Sequence, residues 1–494
     1  MVEYVNKDLS CESTVDRVGG YLYSGQYEKV DDFSLDPGSR HYNHQFYYIY
    51  QARSRELRPR TEREALSKWG NGDKNIDGQT IIKKEKILDI TAGILCWVTG
   101  TIFREMKNKL DIVKDVVTGD DDVLPSIPAK YVGNEEDDDS EEGTYIIEDE
   151  SGRAILNSDT LFRENLIVTG CYMGILGIEV ESGVFEVMDI AYPTMAPQRP
   201  LPIAEKEEEE KEEYIAIVSG LNIGHEEDLK LDLLSQYLIG ELGLNETRDK
   251  AKRIIRLLIV GDSIRPKTVD LRNKDYLSSN NYGLKNVSTL DFPNLKKFDY
   301  FTNEILASIP ITILPGPNDP SDICLPQQPM HRSFLKSNKQ LVNDINALHL
   351  ATNPTWLEFN GIRAIVSSGQ NIQDIRRYIP LSLDKDAQDY SGGNEGFKGI
   401  DIMKYNIAWQ NIVPTAPDTL FCYPFTEKDP FVLYDETPHV YIAGNQRRFD
   451  AAKVEIPNFA GNVKLVSVPR FSDLGTIVLM STKTRDVEVV EFSI

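Results

Sequence analysis

Four short apolar runs, each ending in a glycine-bearing polar loop, constrain this 494-residue chain more than any other feature. YIAIV leads into Ser219-Gly220-Leu221-Asn222-Ile223-Gly224, and IIRLLIV into Gly261-Asp262-Ser263-Ile264-Arg265. IPITIL precedes Pro315-Gly316-Pro317-Asn318-Asp319, and HVYIA precedes Gly444-Asn445-Gln446-Arg447. Short runs that are apolar without alternation read as strands buried on both faces. Between them, Leu229, Leu233, Leu234, Tyr237, Leu238 and Leu242 fall along one helical stripe, as do Phe298, Phe301, Ile305 and Ile309. Strands alternating with amphipathic helices predict an α/β arrangement after Tyr214.

The chain is long enough for two or three cores. Its net charge is −24, which opposes a large nucleic-acid footprint, because phosphate binding needs a positive field. A local basic face stays open. Cys11, Cys96, Cys171, Cys324 and Cys422 are far apart and form no C-x-x-C pair, against both a disulfide framework and a structural zinc site. The N-terminus has no apolar signal region, and no stretch approaches the roughly 20 apolar residues of a membrane span. A soluble, intracellular protein is expected.

Two acidic runs, 134–142 and 205–213, repel themselves and read as solvated segments. The second marks the expected boundary between two blocks. Ahead of it, a helix is expected over 45–69, with Phe46, Ile49, Tyr50, Leu57 and Leu66 interleaving Arg53, Arg55, Arg58, Arg60 and Arg63. Pro59 is expected to kink or interrupt it. The arginines read as a solvated face whose stems cover apolar surface. Strands are expected at Ile87–Ile90, Cys96–Phe103, Tyr145–Glu150, Ala154–Leu156, Leu166–Gly170 and Gly183–Ile190. Short strands broken by glycine turns suggest a small Greek-key barrel of the OB type. Such barrels often bind single strands, but this one is poor in basic residues, so protein contact is the better reading. Later strands are expected at Ile362–Val366, Thr419–Tyr423, Val463–Val468 and Thr476–Leu479.

Two-metal hydrolysis needs enough imidazole and carboxylate ligands to fix two cations. Of the six histidines, none stands at a ligand position in the second, third or last loop. His225 reads as a residue of a first helical turn, His439 as hydrogen-bonded inside the fold, and His331 as a polar loop residue near the third motif. Asp262 and Asp319 alone form a weak Mg²⁺ site at most. Their structural reading, accepting local backbone N–H bonds, is stronger. Arg265 or Arg447 pairing with Asp262 or Asp319 in place of a cation is a further expectation.

In order, spacing and local sequence the four loops resemble those of calcineurin-like phosphoesterases, which carry D-x-H, G-D-x-x-D, G-N-H-D/E and G-H-x-H there. Gly220 and Asn222 stand where the first Asp and His belong, Arg265 for the second Asp, Asn318 for a His, and Asn445 and Arg447 for both last His. Only Asp262 and Asp319 remain. This ligand loss inside an OB-plus-phosphoesterase layout resembles the B-subunits of eukaryotic replicative DNA polymerases. The matching segments include Leu314-Pro315-Gly316, Asn318-Asp319-Pro320, Leu325-Pro326-Gln327-Gln328-Pro329, Thr352-Asn353-Pro354, Ser368-Gly369-Gln370-Asn371-Ile372, Pro414 to Leu420, Cys422-Tyr423-Pro424-Phe425, Asp429-Pro430-Phe431 and Pro438-His439-Val440-Tyr441. Residues 385–400 and the acidic runs depart from the pattern.

The resemblance implies an α+β, multidomain fold: an OB-type barrel plus a calcineurin-like phosphoesterase β-sandwich flanked by helices. The expected layout is an N-terminal segment over 1–41 packing on the phosphoesterase-like domain and a helix plus OB domain over 42–200. An acidic linker over 201–213 and an inactive phosphoesterase-like domain over 214–494 follow. It further implies no catalytic residue, no metal and no cofactor, and a scaffold role in the nucleus in DNA replication and repair. The implied partners are the cysteine-rich C-terminal domain of a catalytic subunit and the N-terminal domain of a third, clamp-binding subunit, with DNA contact weak or indirect. A metal-dependent phosphodiesterase or nuclease, and an OB-type single-strand binder, are the competing readings.

Overall fold

All four apolar runs form strands whose residues are buried throughout: Tyr214–Val218, Ile254–Val260, Ile311–Leu314 and Val440–Gln446. The computed structural model describes residues 2–5, 33–38, 40–109, 128–132, 143–158, 160–181, 183–201, 212–224, 228–267, 290–337, 342, 344, 346–387, 396–457 and 461–493. The 134–142 run, most of 205–213, His225, residues 388–395 and most of 1–41 lie outside them.

The first three strands lie side by side and parallel in a seven-stranded sheet that Leu348–Leu350 extends at one edge. At the other side the sheet continues through Thr476–Ser481, Val487–Phe492 and Val2–Val5. The fourth strand is central in a five-stranded sheet ordered Thr355–Phe359, Ile362–Ser367, Val440–Gln446, Asn462–Pro469 and Asp450–Glu455. The two sheets pack face to face. Ile215, Ile217, Leu258 and Val260 meet Leu357, Ala364, Val366 and Ile442 in one apolar layer. Burial on both faces explains why these strands do not alternate: helices Leu229–Ile239 and Phe292–Leu306 cover the outer face of the larger sheet through Leu233, Leu234, Phe298 and Ile305.

Residues 95–191 close a five-stranded barrel. Leu95–Glu105 pairs with Thr144–Glu148, which pairs with Arg153–Asn157. The last runs parallel to Val184–Ala191, which pairs with Tyr172–Glu181, and that strand returns to the first. A one-turn helix, Leu161–Glu164, bridges the third and fourth strands in chain order. A one-two-three-five-four circuit of this kind is a Greek-key barrel of the OB type.

Three expected strands are not strands. Ile87–Asp89 is a 3-10 turn, whose Ile87 N–H is capped by Asp149 at 2.9 Å. Leu166–Gly170 is a buried connection; Ile102 and Arg104 of the first barrel strand tie it down by bonding Gly170, Cys171 and Thr169. Periodicity cannot distinguish this from a strand, since both bury a short apolar run. Thr419–Tyr423 contributes only an isolated bridge, Leu325 to Cys422.

The helix spans Tyr47–Trp69 and runs through Pro59, which is exposed. Its arginine pattern is not a uniformly solvated face. Arg53 is fully buried: its Nε donates to Asp429 at 2.8 Å, and its terminal nitrogens donate to the carbonyls of Gly170 and Pro414 at 2.8 Å and Ala416 at 2.9 Å. Arg60 donates to the carbonyls of Thr194 at 2.9 Å and Leu433 at 2.8 Å, and to Gln410 Oε1. A guanidinium carries five donors in a rigid fork, so it can enter a core where enough acceptors wait. Arg55 and Arg63 are exposed, and Arg58 pairs with Glu62.

These arginines fasten the helix to the two-sheet unit, and the apolar contacts follow. One continuous core joins Ile49, Cys96, Ile102, Ile147 and Val168 to Ile365, Ile372, Tyr378, Trp409 and Tyr441. Phe33 enters the same core and stacks on Phe431 at 6.1 Å. Leu35 N–H donates to Gln328 Oε1 at 2.9 Å, while Gln328 donates back to the Phe33 carbonyl.

Burial, the largest influence on Arg53, pulls its pKa down, but Asp429 and Tyr50 outweigh it and the net shift is upward. Arg53→Met leaves a buried, unpaired carboxylate at Asp429 and should cost about 3–5 kcal/mol, read as a lower denaturant midpoint. Adding Asp429→Leu should recover part of that loss; equal midpoints for single and double variants would show that the stranded charge is not its cause.

Candidate functional site

The four glycine loops meet at the C-terminal ends of their strands, where open α/β sheets form clefts. They are knitted together by backbone. Gly220 N–H donates to the Gly261 carbonyl at 2.9 Å, Asn222 to Asp262 and Ile223 to Ser263 at 3.0 Å, and Gly261 to Leu314 at 3.1 Å. Asn445 N–H donates to Ser219 Oγ at 2.9 Å, and its side-chain amide donates to the Ser368 carbonyl at 2.9 Å. Packing is so tight that a Cβ on Gly316 would stand 2.3 Å from the Asp262 nitrogen, and one on Gly444 2.5 Å from the Val260 carbonyl oxygen. Asn222, Asp262 and Asn445 have positive φ of 46°, 53° and 57°. Asn and Asp tolerate this left-handed region because their short side chains bond locally.

The two aspartates are the hubs of the cluster. Asp319 is buried and accepts three backbone N–H bonds: Ser263 at 2.9 Å and Ile264 at 3.1 Å on one oxygen, Gly316 at 2.8 Å on the other. Asp262, also buried, accepts Asn318 N–H at 3.1 Å. Burial, with the charge of Asp262 adding to it, pushes Asp319 up to about 7 against the pull of its N–H donors. Burial likewise raises Asp262, opposed by the Asn318 bond and the charge of Arg470.

Gly220, Asn222, Asp262, Asp319 and Asn445 are thus brought together, whereas Arg265, Asn318 and Arg447 are exposed on the rim. The expected arginine-for-metal pairing does not form. Among the described residues neither Arg265 nor Arg447 makes an ion pair with Asp262 or Asp319. Arg447 donates to the Asp386 carbonyl at 2.5 Å, and Arg265 lies against Gly224. The guanidinium whose charge reaches Asp262 belongs to Arg470, packed against Gly220. It follows the Asn462–Pro469 strand, outside every glycine loop, so no motif marks it.

His439 is buried, with Nδ1 accepting Arg363 N–H at 2.9 Å and Nε2 2.7 Å from the Arg199 carbonyl. His331 is exposed and caps a 3-10 turn. Among the described residues no group of three or more His, Cys, Asp or Glu side chains is arranged to hold a metal ion. Both oxygens of Asp319 already accept N–H bonds, and Asn222 and Asn445 bring amides, poor metal ligands, to the same cluster.

A closed OB-type barrel is joined to a two-sheet α/β unit in this chain. Two family models match it. One describes the OB-fold domain of the DNA polymerase delta subunit and covers residues 45–190; the other describes the B-subunit of DNA polymerases alpha and epsilon and covers 215–451. The chain belongs to the DNA polymerase delta small-subunit family. It is 40% identical over 489 residues to the DNA polymerase delta small subunit of Saccharomyces cerevisiae, covering 95% of this chain and 93% of that one. Identity to the small subunit of Arabidopsis thaliana is 30%, covering 83% and 84%, and to DNA polymerase delta subunit 2 of Drosophila melanogaster 30%, covering 92% and 94%. No helix among the described residues is long and apolar enough to cross a membrane.

A raised folded pKa makes Asp319 favour folding fully below its unfolded value of about 4, with that stabilisation lost as pH rises through about 7. The stability of the wild type relative to Asp319→Asn should therefore fall between about pH 4 and pH 7, measured by urea midpoints. A difference independent of pH would mean that Asp319 titrates as it does in the unfolded chain.

Proposed function

We propose that this chain is the non-catalytic scaffold of a DNA polymerase delta complex. It bridges the cysteine-rich C-terminal domain of the catalytic subunit and the N-terminal domain of a third, clamp-binding subunit, in nuclear replication and repair synthesis. The observation that carries the reading is the continuous core running from the barrel to the five-stranded sheet, pinned by Arg53. A body that joins two partners must resist hinging between the surfaces that hold them, and a continuous apolar core does so.

On this reading the layout is a segment over 1–41, a helix and OB domain over 42–200, a linker over 201–213 and a phosphoesterase-type sandwich over 214–494. Gly220, Asn222, Asp262, Arg265, Asn318, Asp319, Asn445 and Arg447 occupy its relic ligand positions. Asp262 and Asp319 have passed from holding metal to holding loops, since backbone N–H groups take up their lone pairs.

Co-expression of the full chain with tagged catalytic and third subunits tests the bridge. All three should co-purify, and omitting this chain should leave the other two apart. Recovery of a stable catalytic–third subunit pair without it would refute the proposal.

A further inference from the structure

We propose that the outer edge of the five-stranded sheet, Asp450–Glu455, docks an acidic, extended segment of a partner protein. The segment adds a strand to the sheet and sets its carboxylates against Lys453 and Lys464. The edge binds and does no chemistry, and it goes beyond the bridging role without resting on it.

Lys453 and Lys464 stand directly opposite each other on the antiparallel strands Asp450–Glu455 and Asn462–Pro469, and so share one side of the sheet. Lys464 N–H donates to the His439 carbonyl at 2.9 Å, toward the neighbouring Val440–Gln446 strand, which turns its main chain away from Lys453. The two lysines are therefore a non-hydrogen-bonded pair, the kind in which opposed side chains come closest. Like charges placed this way oppose folding. Among the described residues neither ammonium makes a hydrogen bond or an ion pair, and the nearby carboxylates of Glu455 and Asp486 pair with neither. Arg485 donates to the carbonyls of His439 at 3.2 Å and Asn462 at 3.0 Å, and its charge also reaches Lys464. Burial first, then the charge of Lys453, pulls the Lys464 pKa down against the attraction of Asp486.

The same register leaves main-chain groups open. Ile456 N–H turns inward to the Gly461 carbonyl at 3.1 Å, so by alternation Lys453 and Glu455 point their N–H and carbonyl groups out of the sheet edge. The Ala451 N–H is taken by Asp450 Oδ1 at 2.9 Å, which closes that end. Lys453 and Glu455 are exposed, while Ala452 and Val454, on the other side of the strand, are half-buried against the core behind them. These features choose the occupant. Open N–H and carbonyl groups suit a peptide backbone rather than a nucleic-acid strand. Two unpaired ammoniums suit carboxylates, and the Ala452 and Val454 side suits apolar residues. The segment that fits alternates acidic and apolar residues with the period of a strand. Lysine on an edge also deters pairing between copies of a chain. That guard is selective, since a strand carrying carboxylates reverses the sign of the interaction.

The full-length chain is titrated, by fluorescence anisotropy, with a labelled peptide alternating valine and glutamate. The same peptide with glutamine for glutamate, and labelled oligothymidylate, are the comparison probes. The glutamate peptide should bind saturably, more weakly as salt rises, and about tenfold or more tightly than either comparison. Lys453→Glu should abolish that binding and raise the denaturant midpoint, because the new carboxylate pairs with Lys464; the loss is then not one of folding. Lys453→Pro should bind more weakly than Lys453→Ala, because proline also removes the outward N–H, at an edge position that tolerates it. Arg153→Met, on an exposed barrel position, should change nothing. No binding of the glutamate peptide, equal binding of the glutamine peptide, or binding that survives Lys453→Glu would overturn the proposal. Binding of oligothymidylate alone would assign the lysines to nucleic acid and overturn it as well.

Discussion

The architecture depends on one buried guanidinium. Arg53 lies on the helix ahead of the barrel, yet its acceptors come from the barrel connection at Gly170 and from the 414–429 region of the two-sheet unit. Removing a charge from water is costly unless it is paired and its donors are met. Asp429 supplies the charge and three carbonyls supply the acceptors, so the arrangement is stable only when all three parts are docked in one geometry. Gly170 shows how close that docking is: a Cβ there would stand 2.0 Å from the Pro414 carbonyl oxygen. The shared core around Trp409, Tyr378 and Ile147 then has a fixed register in which to pack.

The glycine loops apply the same economy at a smaller scale. Their polar groups bond mainly to one another, and the aspartates collect backbone N–H donors that otherwise would be buried unpaired. A site organised this way can hold a precise shape without performing chemistry. Arg470, whose Nε is buried without a hydrogen-bond partner, lies beyond every recognisable motif.

Much of this was legible in the chain. The unbroken apolar runs identified the four central strands, and the turn signals identified the barrel, because burial on two faces or one leaves a direct mark on residue order. Leu166–Gly170 has the composition of a strand without its ladder because it is a buried connection, whereas Thr419–Tyr423, with Phe421 exposed, makes only one isolated bridge. The arginines of the 47–69 helix were the larger miss. Arg53 and Arg55 are alike in sequence, but only Arg53 faces carbonyls contributed by residues more than a hundred positions away.

By itself the sequence determined the strand-and-loop order, the family resemblance and the absence of histidine from the second, third and last glycine loops, since all of these are written in residue identity and local spacing. The tertiary structure decided which arginines are structural and which are free. It also decided that Asp262 and Asp319 serve backbone donors, and that Arg470 rather than Arg265 or Arg447 answers the Asp262 charge. The physical reason is that hydrogen-bond satisfaction and electrostatics depend on distances across the fold, which spacing along the chain does not encode.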